Sequence, residues 1–444
     1  MKVIIIGGVA AGMSAASKLK RLKEDTEIIV YEKGSDLSYG ACGMPYFISD
    51  VIKEEASLIA RTKDEFLKRG INVHTQHEVI KVDTDQKQLS IKDLENNTII
   101  YDTYDKLIIA TGASAIRLPV EGKTLKGIHT LKTLEDARSL KQRLQDETVQ
   151  KIAVIGGGFI GLEVVESIVE SGKKAILIER EPQLMPQYDA DIMAPITTML
   201  ARAGVEIHLG ETVKAYQGDE TVSRIKTDKR TLSVDLVIEA IGVKPDTGFL
   251  EDSDIKRHDN GAVIVDKQLR TNLEDIYAAG DCATVYHRLK DSFTAYVPLG
   301  THANKAGRII AENIAGNPIT FPGVIGSNHL KCLQYEIAKT GLSEKEAEAL
   351  DLAFDTVMVK AANQAGYYPD AKPVHIKLTF ERHTHRLLGC QMVGEKGVAL
   401  RINIMATAIQ AGMDAQTFSN LDLAYAPPFS PVWDPLQVAT NQIK

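Results

Sequence analysis

Two stretches of this chain repeat one plan, and that repetition constrains the fold more than any other feature. The first opens with Lys2-Val3-Ile4-Ile5-Ile6, an apolar run of strand length. It passes at once through Gly7-Gly8-Val9-Ala10-Ala11-Gly12 into a helical stretch from Met13 to Leu22. The second opens with Lys151-Ile152-Ala153-Val154-Ile155, turns through Gly156-Gly157-Gly158-Phe159-Ile160-Gly161 and continues as a helix to about Ser171. Each is followed by a second strand closed by an acid: Glu32, with Lys33 beside it, after Glu27–Tyr31, and Glu179 after Ala175–Ile178. A buried strand, a glycine turn and a helix start aim backbone N–H groups at one point, which suits a pyrophosphate, and the acid suits ribose hydroxyls. Val9 stands where the middle glycine is usual, so the first stretch taken alone also fits a glycine turn in an unrelated α/β domain. The second stretch fills all three glycine positions.

Two such units in one chain imply one bound cofactor and one visiting cosubstrate. Glu179 disfavours a 2′-phosphate on the adenosine ribose, while Arg180 can pair with one, so NADH is the expected cosubstrate and NADPH is tolerated. A length of 444 residues leaves room for about three domains. The formal charge of −7 argues against a nucleic-acid partner. No basic leader precedes the first strand and no apolar run is long enough to cross a bilayer, so a cytoplasmic protein with no membrane partner is expected.

The four cysteines, Cys42, Cys282, Cys332 and Cys390, lie far apart and form neither a CxxC pair nor a metal-ligand cluster, so no metal is expected. Cys42, in Ser38-Tyr39-Gly40-Ala41-Cys42-Gly43-Met44-Pro45-Tyr46, can exchange electrons only with a group outside its own segment. That group is a small-molecule thiol partner, or oxygen or peroxide. The other three read as small buried hydrophobes. His383 and His385 read as an exposed strand rather than a metal site.

Between the two units the pattern predicts a helix near Thr62 to Arg69, strands around Ile71 to Val82, and a hairpin about Asn96-Asn97. A buried strand from Lys106 then ends at Thr111-Gly112 and returns to the first sheet, and a polar helix covers Leu134 to Gln145. Leu236 to Gly242 echoes the strand-plus-glycine ending. Leu273 to Asp281 closes on Gly280-Asp281, where the acid can bind a ribityl hydroxyl, bind a phosphate through water, or cap a helix. A helix follows from about Gly300 to Ile314. From about Ile325, strands at Val357–Ala361, Val374–Phe380 and Leu387–Val393 and a helix at Ala399–Ala411 form an α+β part, either a dimerisation surface or a lid.

Gly7 to Gly12 with Glu32, Ala110-Thr111-Gly112, Gly156 to Gly161 with Glu179, Ala240 to Pro245 and Thr271 to Asp281 together resemble the flavin-dependent pyridine nucleotide–disulfide oxidoreductase family. Within it they resemble the branch with one active cysteine. The resemblance spans most of the first three quarters of the chain. It implies an α/β fold of two Rossmann-like nucleotide-binding domains plus a C-terminal α+β dimerisation domain. The expected limits are 1–113 and 246–324 for a discontinuous FAD domain, 114–149 for a connecting segment, 150–245 for the NAD(P)H domain and 325–444 for the dimerisation domain. Cys42 is then buried or flavin-facing and is held as a mixed disulfide with coenzyme A.

The implied activity is NAD(P)H-dependent reduction of coenzyme A disulfide, with NADH oxidases, peroxidases and persulfide reductases as relatives. A flavin redox sensor is the non-enzymatic alternative. Tyr367 in Gly366-Tyr367-Tyr368-Pro369 and Tyr425 in Leu423-Ala424-Tyr425-Ala426-Pro427-Pro428 match paired tyrosines that serve the neighbouring subunit's active site in a homodimer. Ser14, Lys18 and Arg21, near one face of the first helix, with Ser38 and Asn304, match positions that hold the CoA nucleotide. Glu163 is expected near the nicotinamide, with ordinary helix polarity as the alternative. The chain lacks the His-Pro plus glutamate arrangement of the CxxxxC members and carries no rhodanese-like extension, which lowers the persulfide reading.

Overall fold

The computed structural model describes residues 1–444 as two compact units. The first comprises Met1–Ile116, Lys132–Lys141 and Gly242–Val324, and the second Arg117–Leu131, Gln142–Ile241 and Ile325–Lys444.

In the first unit five parallel strands lie in the order Ile276–Ala278, Lys106–Ile109, Lys2–Ile6, Glu27–Tyr31 and Ile71–His74. Val3, Ile4 and Ile5 in the central strand are wholly buried, as an apolar run without alternation requires in a sheet covered on both faces. The helices Ala10–Leu22 and Gly300–Ala315 pack together closely, because a Cβ on Gly307 would lie 2.2 Å from the Ala11 carbonyl oxygen. An antiparallel sheet of His77–Asp83, Gln88–Asp93 and Thr98–Thr103 contains the expected Asn96-Asn97 hairpin.

The second unit repeats the parallel plan, in the order Glu206–Leu209, Lys174–Glu179, Lys151–Ile155, Leu236–Glu239 and Ile128–His129. In both sheets the glycine-loop strand is central and the acid-bearing strand lies beside it. The same unit holds an antiparallel sheet ordered Asn328–Cys332, Tyr335–Gly341, Leu387–Gly394, Pro373–Glu381 and Phe354–Ala362. Leu387–Gly394 is buried along its whole length, covered by the helices Ala190–Arg202 and Ile402–Ala411. A buried lysine helps hold this sheet in the unit: Lys377 reaches buried Asp189 at 3.2 Å and the more exposed Asp191 and Glu344 at 2.8 and 2.6 Å.

Two local expectations change, and one helix stands where none was expected. The last long helix begins at Ile402 instead of Ala399, because the Val398 and Ala399 amides donate to the Glu336 carboxylate, at 2.6 and 2.8 Å, before the helical repeat starts. His383 and His385 sit in a turn, not a strand. The Glu381 carboxylate accepts the His383 and Thr384 amides there and closes the link between two strands. The helix Ala190–Arg202 carries Pro195 in its interior, which masks a helical pattern that the sequence reading did not identify.

Candidate active site

The two glycine loops are braced in the same way. Glu32 accepts the Gly8 amide at 2.6 Å and the Gly34 amide at 2.7 Å, one on each carboxylate oxygen. Glu179 accepts the Gly157 amide at 2.6 Å and the Glu181 amide at 2.8 Å. Each acid therefore fixes the loop beside it and keeps lone pairs for ribose hydroxyls. A Cβ on Gly12 would meet the Gly7 carbonyl oxygen at 2.0 Å, and one on Gly161 the Gly156 oxygen at 1.9 Å, so the third glycine of each loop is required for helix to meet strand.

The helices after these loops start at Ala10 and Phe159 with no side-chain cap on their first amides, whereas Thr62, Ser343, Asp414 and Asp434 each cap the helix they precede. Uncapped amides at a glycine turn fit a pyrophosphate. Ala11 and Ile160 lie in these first turns. Val9 has a φ of −109°, so its replacement of the usual glycine demands no left-handed backbone.

Further groups cluster in the first unit. Thr111 Oγ1, next to Gly112, donates to the Asp246 carbonyl at 2.7 Å, and Lys33 pairs with the Asp246 carboxylate. Asp281, after Gly280, is paired with Lys132 at 2.9 Å. It caps no helix, since Leu299 precedes the one that starts at Gly300. Lys132 carried no local signal in the sequence, its partner lying 149 residues away. Gly242 also belongs to this unit, where its carbonyl accepts the Ile116 amide at 3.0 Å.

Cys42 is exposed, so of the two expectations, buried or flavin-facing, the first does not hold. It sits in the short turn Ala41–Gly43, while Met44, Pro45, Phe47 and Ile48 just beyond supply the buried contacts of the segment. The Ser38 amide donates to the Gly8 carbonyl at 2.8 Å and links this segment to the first glycine loop. Ser14 Oγ donates to Asn304 Oδ1 at 2.6 Å, so two expected substrate residues meet across 290 positions. Lys18 pairs with Glu312 at 2.7 Å, and Arg21 is exposed one turn further along.

In the second unit the hydroxyls of Tyr367 and Tyr425 lie 2.8 Å apart. Both rings are exposed, and the bond to Tyr367 holds the Tyr425 phenol above its ordinary range. The loops that carry them meet at Arg401, which sequence reasoning missed. Its guanidinium donates to Asp434 at 2.8 Å and to the carbonyls of Gly397, Asn363 and Phe429 at 2.8, 2.9 and 2.8 Å. Arg180 is exposed and paired with Glu181 at 3.2 Å.

Glu163, in the second turn of the helix Phe159–Glu170, has its carboxyl pushed up to about 7 by burial and then by the neighbouring Glu166. Glu166 is itself engaged by Lys331 and by the Leu333 amide at 2.9 Å. The folded protein therefore holds a proton on Glu163 that an unfolded chain has released. The stability due to that proton is fully present below the usual value of 4.5 and is lost as pH rises through about 7. In Glu163→Gln the fall in unfolding free energy between pH 5 and pH 8 is expected to be smaller than in wild type. Urea unfolding of both proteins at the two pH values checks this; equal falls would refute it.

The pyridine nucleotide-disulphide oxidoreductase family matches residues 1–307, and the dimerisation domain of that family matches residues 329–435. The chain is 36% identical over 443 residues to the NAD(P)H sulfur oxidoreductase (CoA-dependent) of Pyrococcus abyssi, covering all of this chain and 98% of that protein. It is 34% identical over 431 residues to the coenzyme A disulfide reductase of Staphylococcus aureus, covering 97% and 96%. Among solved structures, reduced Bacillus anthracis CoADR-RHD superposes with a TM-score of 0.96 at 32% identity, covering all of this chain and 80% of that one. The water-forming NADH oxidase of Lactobacillus brevis also superposes at 0.96, with 30% identity, covering all of this chain and 98% of that one. No helix is long and apolar enough to cross a membrane. With two braced nucleotide loops, one exposed cysteine and a matching C-terminal domain, the chain belongs to the pyridine nucleotide-disulphide oxidoreductase family, which implies FAD and a pyridine nucleotide.

Proposed function

We propose that the chain reduces coenzyme A disulfide to two CoA thiols with NAD(P)H, through FAD and a Cys42–CoA mixed disulfide. The observation that carries this reading is the one exposed thiol: Cys42 is accessible, whereas Cys282, Cys332 and Cys390 are buried. A single accessible cysteine cannot close a disulfide within its own chain, so any partner sulfur comes from outside the chain, which suits a small-molecule disulfide. Bound FAD would supply two-electron exchange between a nicotinamide and a thiol. Gly7, Gly8, Ala10, Ala11, Gly12, Glu32, Lys33, Thr111, Gly112, Gly280 and Asp281 would hold it. Gly156, Gly158, Phe159, Ile160, Gly161, Glu163, Glu179 and Arg180 would hold the pyridine nucleotide, with Gly242 assigned to the cofactor sites as well. Ser14, Lys18, Arg21, Ser38 and Asn304 would take the CoA nucleotide.

The Cys42 thiolate attacks one sulfur of the CoA disulfide. A bond forms between Cys42 Sγ and that sulfur, the original S–S bond breaks, and the other CoA leaves as a thiolate that takes up a proton. Two electrons and a proton, drawn from NAD(P)H, then cleave the mixed disulfide to the Cys42 thiolate and a second CoA thiol. In a homodimer with shared sites, Tyr367 and Tyr425 would serve the neighbouring subunit's thiol, with Tyr425 donating to the leaving sulfur. Tyr425→Phe is expected to slow disulfide reduction about tenfold or more while leaving anaerobic reduction of the flavin by NADH within about twofold of wild type. Equal slowing of both half-reactions would remove this role.

The similarity to a water-forming NADH oxidase supports a second reading, in which Cys42 cycles through sulfenic acid with oxygen or peroxide as oxidant. The experiment that separates the two is intact mass of the non-reduced protein before and after dithiothreitol. A removable adduct of one CoA per chain supports disulfide reduction, and a bare or singly oxygenated thiol supports the oxidase reading.

A further inference from the structure

We propose that Arg138 is a positioning residue for Cys42, closing the cysteine segment into a strap that presents the thiol as a reactive thiolate. The inference rests on the assignment of Cys42 as nucleophile. Arg138 lies on the part of the helix Leu134–Gln145 that belongs to the first unit, and its guanidinium makes four hydrogen bonds. Nη1 and Nη2 each reach one oxygen of Asp36 at 2.8 Å. Nε and Nη2 reach the two oxygens of Glu55 at 2.9 and 2.6 Å. Asp36 and Glu55 bracket Cys42 in the chain, so one guanidinium fastens both ends of the segment that carries it.

The same stretch of helix makes two more contacts inside that bracket. Lys141 pairs with Asp50 at 2.7 Å, and the Lys141 ammonium lies 3.9 Å from the centre of the Phe47 ring. The bond to Arg138 holds the Asp36 carboxyl below its usual range, as expected of a charge-assisted fork. Cys42 is exposed on a short turn, and these distant ties hold the segment that carries it. Arg138 is also the cation that balances two carboxylates. Without it the segment is loosened and the local charge becomes more negative, and both changes disfavour a thiolate.

The test is the rate of Cys42 alkylation by iodoacetamide as a function of pH, followed by intact mass on flavin-loaded protein whose Cys42 has first been freed with dithiothreitol and desalted. It is paired with the two half-reactions measured separately. Arg138→Ala is expected to raise the pH midpoint of alkylation and to slow alkylation and disulfide reduction about tenfold at neutral pH, with flavin reduction by NADH within about twofold. Arg138→Lys keeps the charge but not the fork and is expected to recover only part of the rate. A wild-type alkylation profile in Arg138→Ala would overturn the proposal, as would equal slowing of both half-reactions. If Arg138→Ala does not fold, Arg138→Gln, which removes both the charge and the fork while keeping much of the side chain's length, decides between a shifted and a wild-type profile. Because iodoacetamide is indifferent to the physiological oxidant, alkylation tests Arg138 even if coenzyme A disulfide is not the substrate.

Discussion

Replacing Cys42 by serine is expected to lower coenzyme A disulfide turnover by about 10³-fold or more, while NADH still reduces the flavin at close to the wild-type rate. A serine hydroxyl titrates far above neutral pH and cannot exchange with a disulfide. The remaining cysteines offer no substitute. Cys282 and Cys390 are buried with thiols raised by burial, and burial together with Glu166 pushes the Cys332 thiol up to about 12. Two measurements check the result: NADH oxidation with coenzyme A disulfide, and intact mass, where the dithiothreitol-removable adduct should vanish. Persistence of turnover or of the adduct in Cys42→Ser would falsify the assignment of the nucleophile.

The largest loss of stability is expected from Arg401→Met. Arg401 and Asp434 are both nearly inaccessible, with side-chain exposures of 10% and 9%, and the arginine satisfies three carbonyls besides the carboxylate. Methionine fills much of the volume but leaves an unpaired buried carboxylate and three unmet acceptors, a cost of about 3–5 kcal/mol. That corresponds to a fall of roughly 10 °C in the unfolding midpoint of the unit. The substitution also frees the loops that bring Tyr367 to Tyr425, which are joined otherwise by the Ala365 amide donating to the Pro427 carbonyl at 3.2 Å. Disulfide turnover should therefore fall even at temperatures where the protein stays folded. A midpoint within about 2 °C of wild type would show that the clamp is dispensable.

The elements legible in the sequence are those whose signal lies within a few residues. The helix Leu134–Gln145 stands at the residues its pattern predicts, and Lys2–Ile6 and Lys151–Ile155 are the buried central strands that unbroken apolar runs imply. The glycine loops were legible for the same reason, since a turn, a helix start and an acid one strand later are all local. The Asn328–Cys332 and Tyr335–Gly341 hairpin was not, because Tyr335–Gly341 is mostly buried without alternation and its pairing is completed by Leu387–Gly394, far along the chain.

By itself the sequence determined that this is an α/β protein with two nucleotide loops, one distinctive cysteine and a family membership that names its redox chemistry. Only the tertiary structure decided which side chains meet: Ser14 with Asn304, Arg138 with Asp36 and Glu55, Lys132 with Asp281, and the four acceptors of Arg401. Periodicity and turn chemistry act over one or two turns of chain. A hydrogen bond between residues 83, 102 or 290 positions apart depends instead on how helices and sheets pack, and that leaves no mark on the residues nearby.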